Sequence, residues 1–322
     1  MSRMPLFLAT LAALSACFWS APPALAVVTS SSTWIASNGN DANTSTQCAR
    51  ANPCKSMTTA LTVTADGGTL SCLDATLTFG AVIFTQSVTI DCSGSEIFAE
   101  SAGDGVLVSG PGIIVALRGL RIYTATGFNG NDGVNVVAGA NVLIENCKIY
   151  GFTADGIRFA PTGAGSLTVV DSTIYNNGSG STGGGIIINP QSSGSAQVTL
   201  DRVTLTKNVF GIVADGTGSS GGINMTIVDS VTNRNAQDGI IATTPSGGAP
   251  IGVMVKNTKS VVNGYGIRSF GPGVTVRASG SAVIGNGTGL SFGSGGALLT
   301  FGNNEVQANG ANGAFSGSAP LQ

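Results

Sequence analysis

Asp132-Gly133-Val134-Asn135-Val136 contains the pattern that decides the fold: a glycine followed by an apolar/x/apolar triplet. The same glycine returns as Gly105, Gly133, Gly156, Gly185, Gly211, Gly239, Gly266 and Gly289, at steps of 28, 23, 29, 26, 28, 27 and 23 residues. A second apolar/x/apolar unit follows each one, as in Val115/Leu117, Val142/Ile144, Leu167/Val169 and Val198/Leu200. These units end on one column of turn-prone residues, Gly119, Asn146, Asp171, Asp229 and Asn257, which Arg202 interrupts. A third, shorter arm comes next, as Leu120/Ile122, Cys147/Ile149, Ser172/Ile174 and Val203/Leu205. Three short strands and three corners per period make one coil of a parallel β-solenoid. Period-two alternation sends every other side chain into the bore, and Gly, Asn and Asp supply the left-handed backbone that tight corners need. One coil cannot bury its inner face alone, so neighbouring coils stack.

These repeats, with the Asn-x-x-Gly-Ile coil Asn208-Val209-Phe210-Gly211-Ile212, resemble the right-handed parallel β-helix proteins of the pectate-lyase-like class, exported bacterial type, over roughly residues 34 to 306. The resemblance implies an all-β fold: a single-stranded right-handed parallel β-helix of three sheets over residues 69–306, with an N-terminal cap over 27–68 that contains one short helix. The handedness comes from the resemblance, not from the spacing. About ten coils at ~4.8 Å each give a rod of roughly 50 Å. The fold hosts lyases, hydrolases, epimerases, adhesins and inert scaffolds, so function has to be read from side chains.

Composition agrees with a folded repeat. Gly is 48 of 322 residues, 9% of residues are charged and the mean hydropathy is +0.32, which is unlike disorder or collagen. A net charge of −2 offers no basic footprint for nucleic acid. Residues 1–26 read as an export signal: Arg3 starts it, Leu6 to Leu14 is its apolar core, and Ala24-Leu25-Ala26 is a small-x-small cleavage site. Leu14-Ser15-Ala16-Cys17 is the rival, a lipobox that would leave Cys17 lipid-anchored. The chain is expected to be secreted or periplasmic, with no transmembrane segment.

In the cap, Thr33-Trp34-Ile35-Ala36 reads as an edge strand with Trp34 in the core, and Lys55 to Thr64 as a helix with Met57, Ala60 and Leu61 on one side. The tail, 307–322, is Gly/Ala/Ser-rich and reads as a frayed last coil or a flexible end. An oxidising compartment favours cysteine pairing. Cys48 and Cys54 bracket one loop; Cys72 and Cys92, in Leu70-x-Cys72 and Ile90-x-Cys92, fall side by side on adjacent coils. Both bridges are predicted. Cys147 is left as a buried free thiol, and no metal site is expected.

There is no histidine, which removes the Ser/His/Asp triad, histidine acid–base work and histidine metal sites together. No two acidic residues are adjacent, so the Asp-Asp pair of the polygalacturonase-like hydrolases is absent. A polysaccharide lyase acting on a uronic-acid polymer needs a basic residue to abstract a proton and cations, calcium among them, to stabilise the intermediate. Arg118, Arg121, Lys148 and Arg158 are the candidate bases, with Asp132, Glu145 and Asp155 as acids. The plainer reading makes Arg118/Glu145 a cross-strand ion pair and Asp132/Asp155 corner residues. Tyr123, Tyr150 and Tyr175 form a further column, each after an inward isoleucine, beside Arg121 and Lys148. Such rings either stack against sugars of a polysaccharide or cell-surface glycan, or simply cover the coil. A non-catalytic glycan-binding, surface-binding or structural protein without a cofactor is therefore the first expectation, and the lyase the second.

Overall fold

A computed structural model of the protein describes residues 28–99, 102–124 and 127–320. The expected export signal, its expected cleavage site and Cys17 lie outside the described residues. Three parallel sheets of twelve, ten and nine strands wind into a β-solenoid, each coil giving one strand in turn to the first, second and third sheet. The quoted pentapeptide leads into the third-sheet strand Val134–Val136, flanked in register by Val106–Val108 and Asp155–Phe159. Val134 and Val136 are fully buried while Asn135 faces outward, which is the alternation that the sequence prescribes. Isoleucine, valine and leucine from all three sheets fill one continuous core along the bore.

The Gly133 column works differently from the corners. None of its eight glycines has a positive φ. A Cβ on Gly133 would sit 2.4 Å from the carbonyl oxygen of Gly156, and one on Gly211 2.4 Å from that of Gly239. Glycine is needed there because successive coils approach backbone to backbone. Left-handed backbone belongs to two other columns. One holds Gly119, Asn146, Asp171, Arg202, Asp229, Asn257 and Gly280. Arg202 interrupts that column in residue type only: its φ is 53°, and its guanidinium donates to Asp171 at 2.6 and 2.9 Å. The other column runs through Gly151, Asn176, Lys207, Arg234, Val262, Gly285 and Ala308.

Next to that second column the sequence pattern hid an asparagine ladder. The backbone N–H of Asn177 donates to Oδ1 of Asn208 at 3.0 Å, and the same bond links Asn208 to Asn235, Asn235 to Asn263, Asn263 to Asn286 and Asn286 to Asn309. Each side-chain amide also donates to a backbone carbonyl one coil back, so these buried polar groups are satisfied and pin the register.

At the N-terminus, Ser30–Ile35 is the edge strand of the first sheet, paired with Thr64–Cys72. Its inward residues are Thr33 and Ile35; Trp34 points the other way and is half-buried, contrary to its expected core role. Helix Met57–Val63, capped by Ser56, plugs the bore with Met57, Ala60 and Val63, while Leu61 is only partly buried. The loop before it adds a 3-10 turn over Asp41–Thr46. Both predicted disulfides, Cys48–Cys54 and Cys72–Cys92, are present, and Cys147 is a buried free thiol. Burial pushes that thiol up to about 11, so it stays protonated. The tail supplies Asn309 to the ladder and the strand Gly317–Ser318 to the first sheet, an exposed part-coil.

Val262 is a β-branched residue at φ 57° whose side chain is 54% exposed. Asparagine holds the same corner at position 176, so Val262→Asn should relieve strain at little cost in burial. It is expected to stabilise the fold by about 1 kcal/mol in equilibrium denaturant unfolding.

Candidate functional site

The tyrosines stand on three successive strands of the second sheet, Arg121–Tyr123, Lys148–Tyr150 and Thr173–Tyr175. Register places Tyr123 beside Tyr150 and Tyr150 beside Tyr175, as the 27- and 25-residue steps require. Their rings stack nearly parallel, with centroids 5.3 and 4.6 Å apart. Phe98, one coil earlier, extends the stack at 5.2 Å from Tyr123. The sequence pattern carried Phe98 as well, since Glu96-Ile97-Phe98 has the spacing of Arg121-Ile122-Tyr123.

Because the rings lie face on face along the coil axis, both faces of Tyr150 are occupied by its neighbours. Tyr175 ends the column, with Thr206 beyond it. Polar groups lock the near end: Arg121 pairs with Glu96 at 2.6 Å, its Nη2 donates to the Tyr150 hydroxyl at 3.1 Å, and the Tyr123 hydroxyl donates to Glu96 at 2.9 Å. Lys148, beside Arg121, makes no ion pair with a described residue.

The four candidate bases do not converge. Arg118 ends a first-sheet strand and pairs with Glu145 at 3.0 Å; Arg121 and Lys148 open second-sheet strands; Arg158 lies on the third sheet, 3.8 Å from Asp155. Asp132 and Asp155 are more than corner residues. They are 1% and 3% exposed and stack one per coil beneath Asp104. Each carboxylate accepts a backbone N–H of the next coil: Asp155 N donates to Asp132 at 3.0 Å, and Gly184 N to Asp155 at 3.0 Å. The Asp-Gly sequence hid this because alternation alone does not tell a corner from the first buried position of a strand.

Burial pushes the Asp132 carboxyl up to about 6, with Asp104 adding to the rise and the Asp155 N–H and Arg158 opposing it. Burial, then the Asp132 charge, pushes Asp155 up to about 7 against Arg158 and the Gly184 N–H. Among the described residues no three acidic or thiol side chains are grouped as a metal ion would require. The oxygens of the three aspartates accept from backbone N–H groups and from the side-chain amides of Asn131 and Asn135.

A second aromatic cluster escaped the sequence reading. Arg268, on the third-sheet strand Tyr265–Phe270, makes a two-pronged ion pair with the fully buried Asp238 one coil back. Its guanidinium lies over the Tyr265 ring at 4.2 Å and within 5.6 Å of the Phe270 ring. Arg268 stands two residues after Gly266, as Arg158 does after Gly156.

The family model described as the right-handed beta helix region matches residues 74–251, and the chain belongs to that family. Among solved structures, the chain is similar to pectate lyase Pel9A, at 16% identity and a TM-score of 0.53, over 92% of this chain and 80% of that one. It is also similar to an alginate lyase from Paenibacillus sp. str. FPU-7, at 15% identity and a TM-score of 0.43, over 81% of this chain and 98% of that one. No curated protein matches. Among the described residues no helix is long and apolar enough to cross a membrane.

The buried carboxyls set a pH dependence. A carboxyl whose folded pKa is raised from 3.8 to about 6 or 7 binds more protons folded than unfolded. The stability that it contributes is complete below about pH 4 and is lost as pH rises through about 7. The midpoint of thermal unfolding is expected to fall between pH 5 and about 8, and Asp155→Asn, which keeps an oxygen for Gly184 N, to flatten that slope.

Proposed function

We propose that this chain is a non-catalytic β-helix that holds a glycan, or a glycan-covered surface, against the outside of its second sheet. The observation that carries this reading is the dispersal of the candidate bases: Arg118, Arg121 and Lys148, and Arg158 lie on three different sheets, and each arginine is already engaged by a carboxylate. Proton abstraction needs a base and charge-stabilising groups gathered at one carbon. At the far end of the aromatic column Tyr175 has a threonine rather than a ring as its next neighbour, and Lys148 and the Tyr150 edge lie alongside. A pyranose ring stacked there uses the one end of the column that no ring covers, with Lys148 one strand back at its edge. Two disulfides fit a secreted or periplasmic setting. Similarity to a pectate lyase at this identity supplies the fold and no activity.

A glycan-array screen followed by titration is the test: a bound oligosaccharide should lose about tenfold in affinity in Tyr175→Ala, and less in Tyr123→Ala, whose ring is enclosed by the stack. Equal losses in the two variants, or no bound glycan, contradict the reading.

The lyase alternative has one specific support, Arg158 beside buried carboxyls that titrate near neutrality. Incubation with pectate and alginate, with and without added calcium, is expected to yield no ultraviolet-absorbing unsaturated product. Accumulation of product that Arg158→Ala abolishes would replace the binding reading with the enzymatic one.

A further inference from the structure

On the third sheet, away from the tyrosine column, the loops after Asp238–Thr243 and Tyr265–Phe270 lie on adjacent coils. Their residues, with Thr217 and Ser294, line an open groove of about 710 Å³, within the 300–1,000 Å³ that small ligands occupy. Pro245 and Pro272 are among its lining residues, and each fixes its own backbone φ. Its floor carries the Phe270 ring and the Arg268 guanidinium.

Two features define what fits. The first is charge. Arg268 is the one charged residue lining the groove, and the buried Asp238 carboxylate already engages it from below. A further carboxylate, Asp215, lies at the rim, in register with Thr243 and accepting from the hydroxyl and backbone N–H of Thr217. An anionic ligand would meet no net positive charge and one carboxylate. The second is polarity. The hydroxyl-bearing residues Thr217, Thr243 and Ser246 line the groove around the ring. Thr244 is 3% exposed, with its Oγ1 packed against Gly216 and Gly248, so it shapes the groove wall without meeting a ligand. A flat apolar ring edged by hydroxyl groups and one oriented guanidinium is complementary to a ring with an aliphatic face and equatorial hydroxyls.

We propose that the groove over Arg268 and Phe270 binds one neutral hexose unit of an oligosaccharide, its apolar face on Phe270 and its hydroxyls on Arg268 and the threonines. This site is separate from the second-sheet surface and stands whether or not that surface binds. Arg268 serves as an oriented donor rather than as an anion trap, because Asp238 fixes its plane and Tyr265 supports it from the side.

The test titrates the full chain with three neutral oligosaccharides, of glucose, mannose and galactose, and with oligogalacturonate and oligoguluronate. At least one neutral oligosaccharide is expected to bind in preference to both uronates. Phe270→Ala is expected to weaken that binding about tenfold. Ser246→Trp, at an exposed loop position, should block the groove, and Thr199→Ala on the first sheet should leave binding unchanged. Thermal unfolding of both groove variants checks that they fold. The proposal is overturned if no neutral oligosaccharide binds, if uronates bind better, or if folded Phe270→Ala and Ser246→Trp both bind as the parent does. Loss of binding in Tyr175→Ala alone would assign the ligand to the second-sheet surface and also refute the groove, so the two readings fail separately.

Discussion

Backbone-to-backbone contact between successive coils is the constraint from which the rest of the molecule follows. In the Gly133 column the carbonyl of one coil lies where the Cβ of the previous coil would stand, so only glycine keeps the parallel hydrogen-bond spacing there. Once that spacing holds, every column downstream is in register: isoleucines in the bore, asparagines in the buried ladder, and left-handed residues at two corners. The outside then becomes a lattice of side chains one strand apart, on which columns of like residues stack whether or not they have a ligand.

That lattice explains why the fold was legible in the sequence and the chemistry was less so. The glycine period, the apolar triplets and the Gly119–Asn257 corner column each report a backbone requirement that repeats, and repetition is visible without coordinates. The disulfide between Cys72 and Cys92 followed from the same logic, as equivalent positions on adjacent coils. The Tyr123–Tyr150–Tyr175 register followed too, but not its consequence, since a column of aligned rings hides the faces that a single tyrosine would offer.

What the sequence concealed depended on diagonal or orientational relations. Asp238 reaches Arg268 across a coil and along the strand, a relation that no fixed period encodes. Asp132 and Asp155 look like any Asp-Gly turn until their side chains are found buried against the N–H groups of the next coil. Trp34 is half-buried despite its large aromatic ring, because the strand's alternation gives the inward places to Thr33 and Ile35. Arg158 and Arg268 hold equivalent positions and have different surroundings: the first lies beside a stack of carboxyls, the second between aromatic rings. One scaffold thus presents distinct chemical faces along a single column.

The most direct measurement of the central claim is equilibrium unfolding of Gly133→Ala against Gly80→Ala. An added Cβ at Gly133 meets the Gly156 carbonyl oxygen at 2.4 Å, whereas at Gly80 it meets nothing within 4 Å. A loss of about 3 kcal/mol is expected for Gly133→Ala and a change within about 0.5 kcal/mol for Gly80→Ala. Equal, small effects at both positions would contradict the view that close contact between coils fixes the fold.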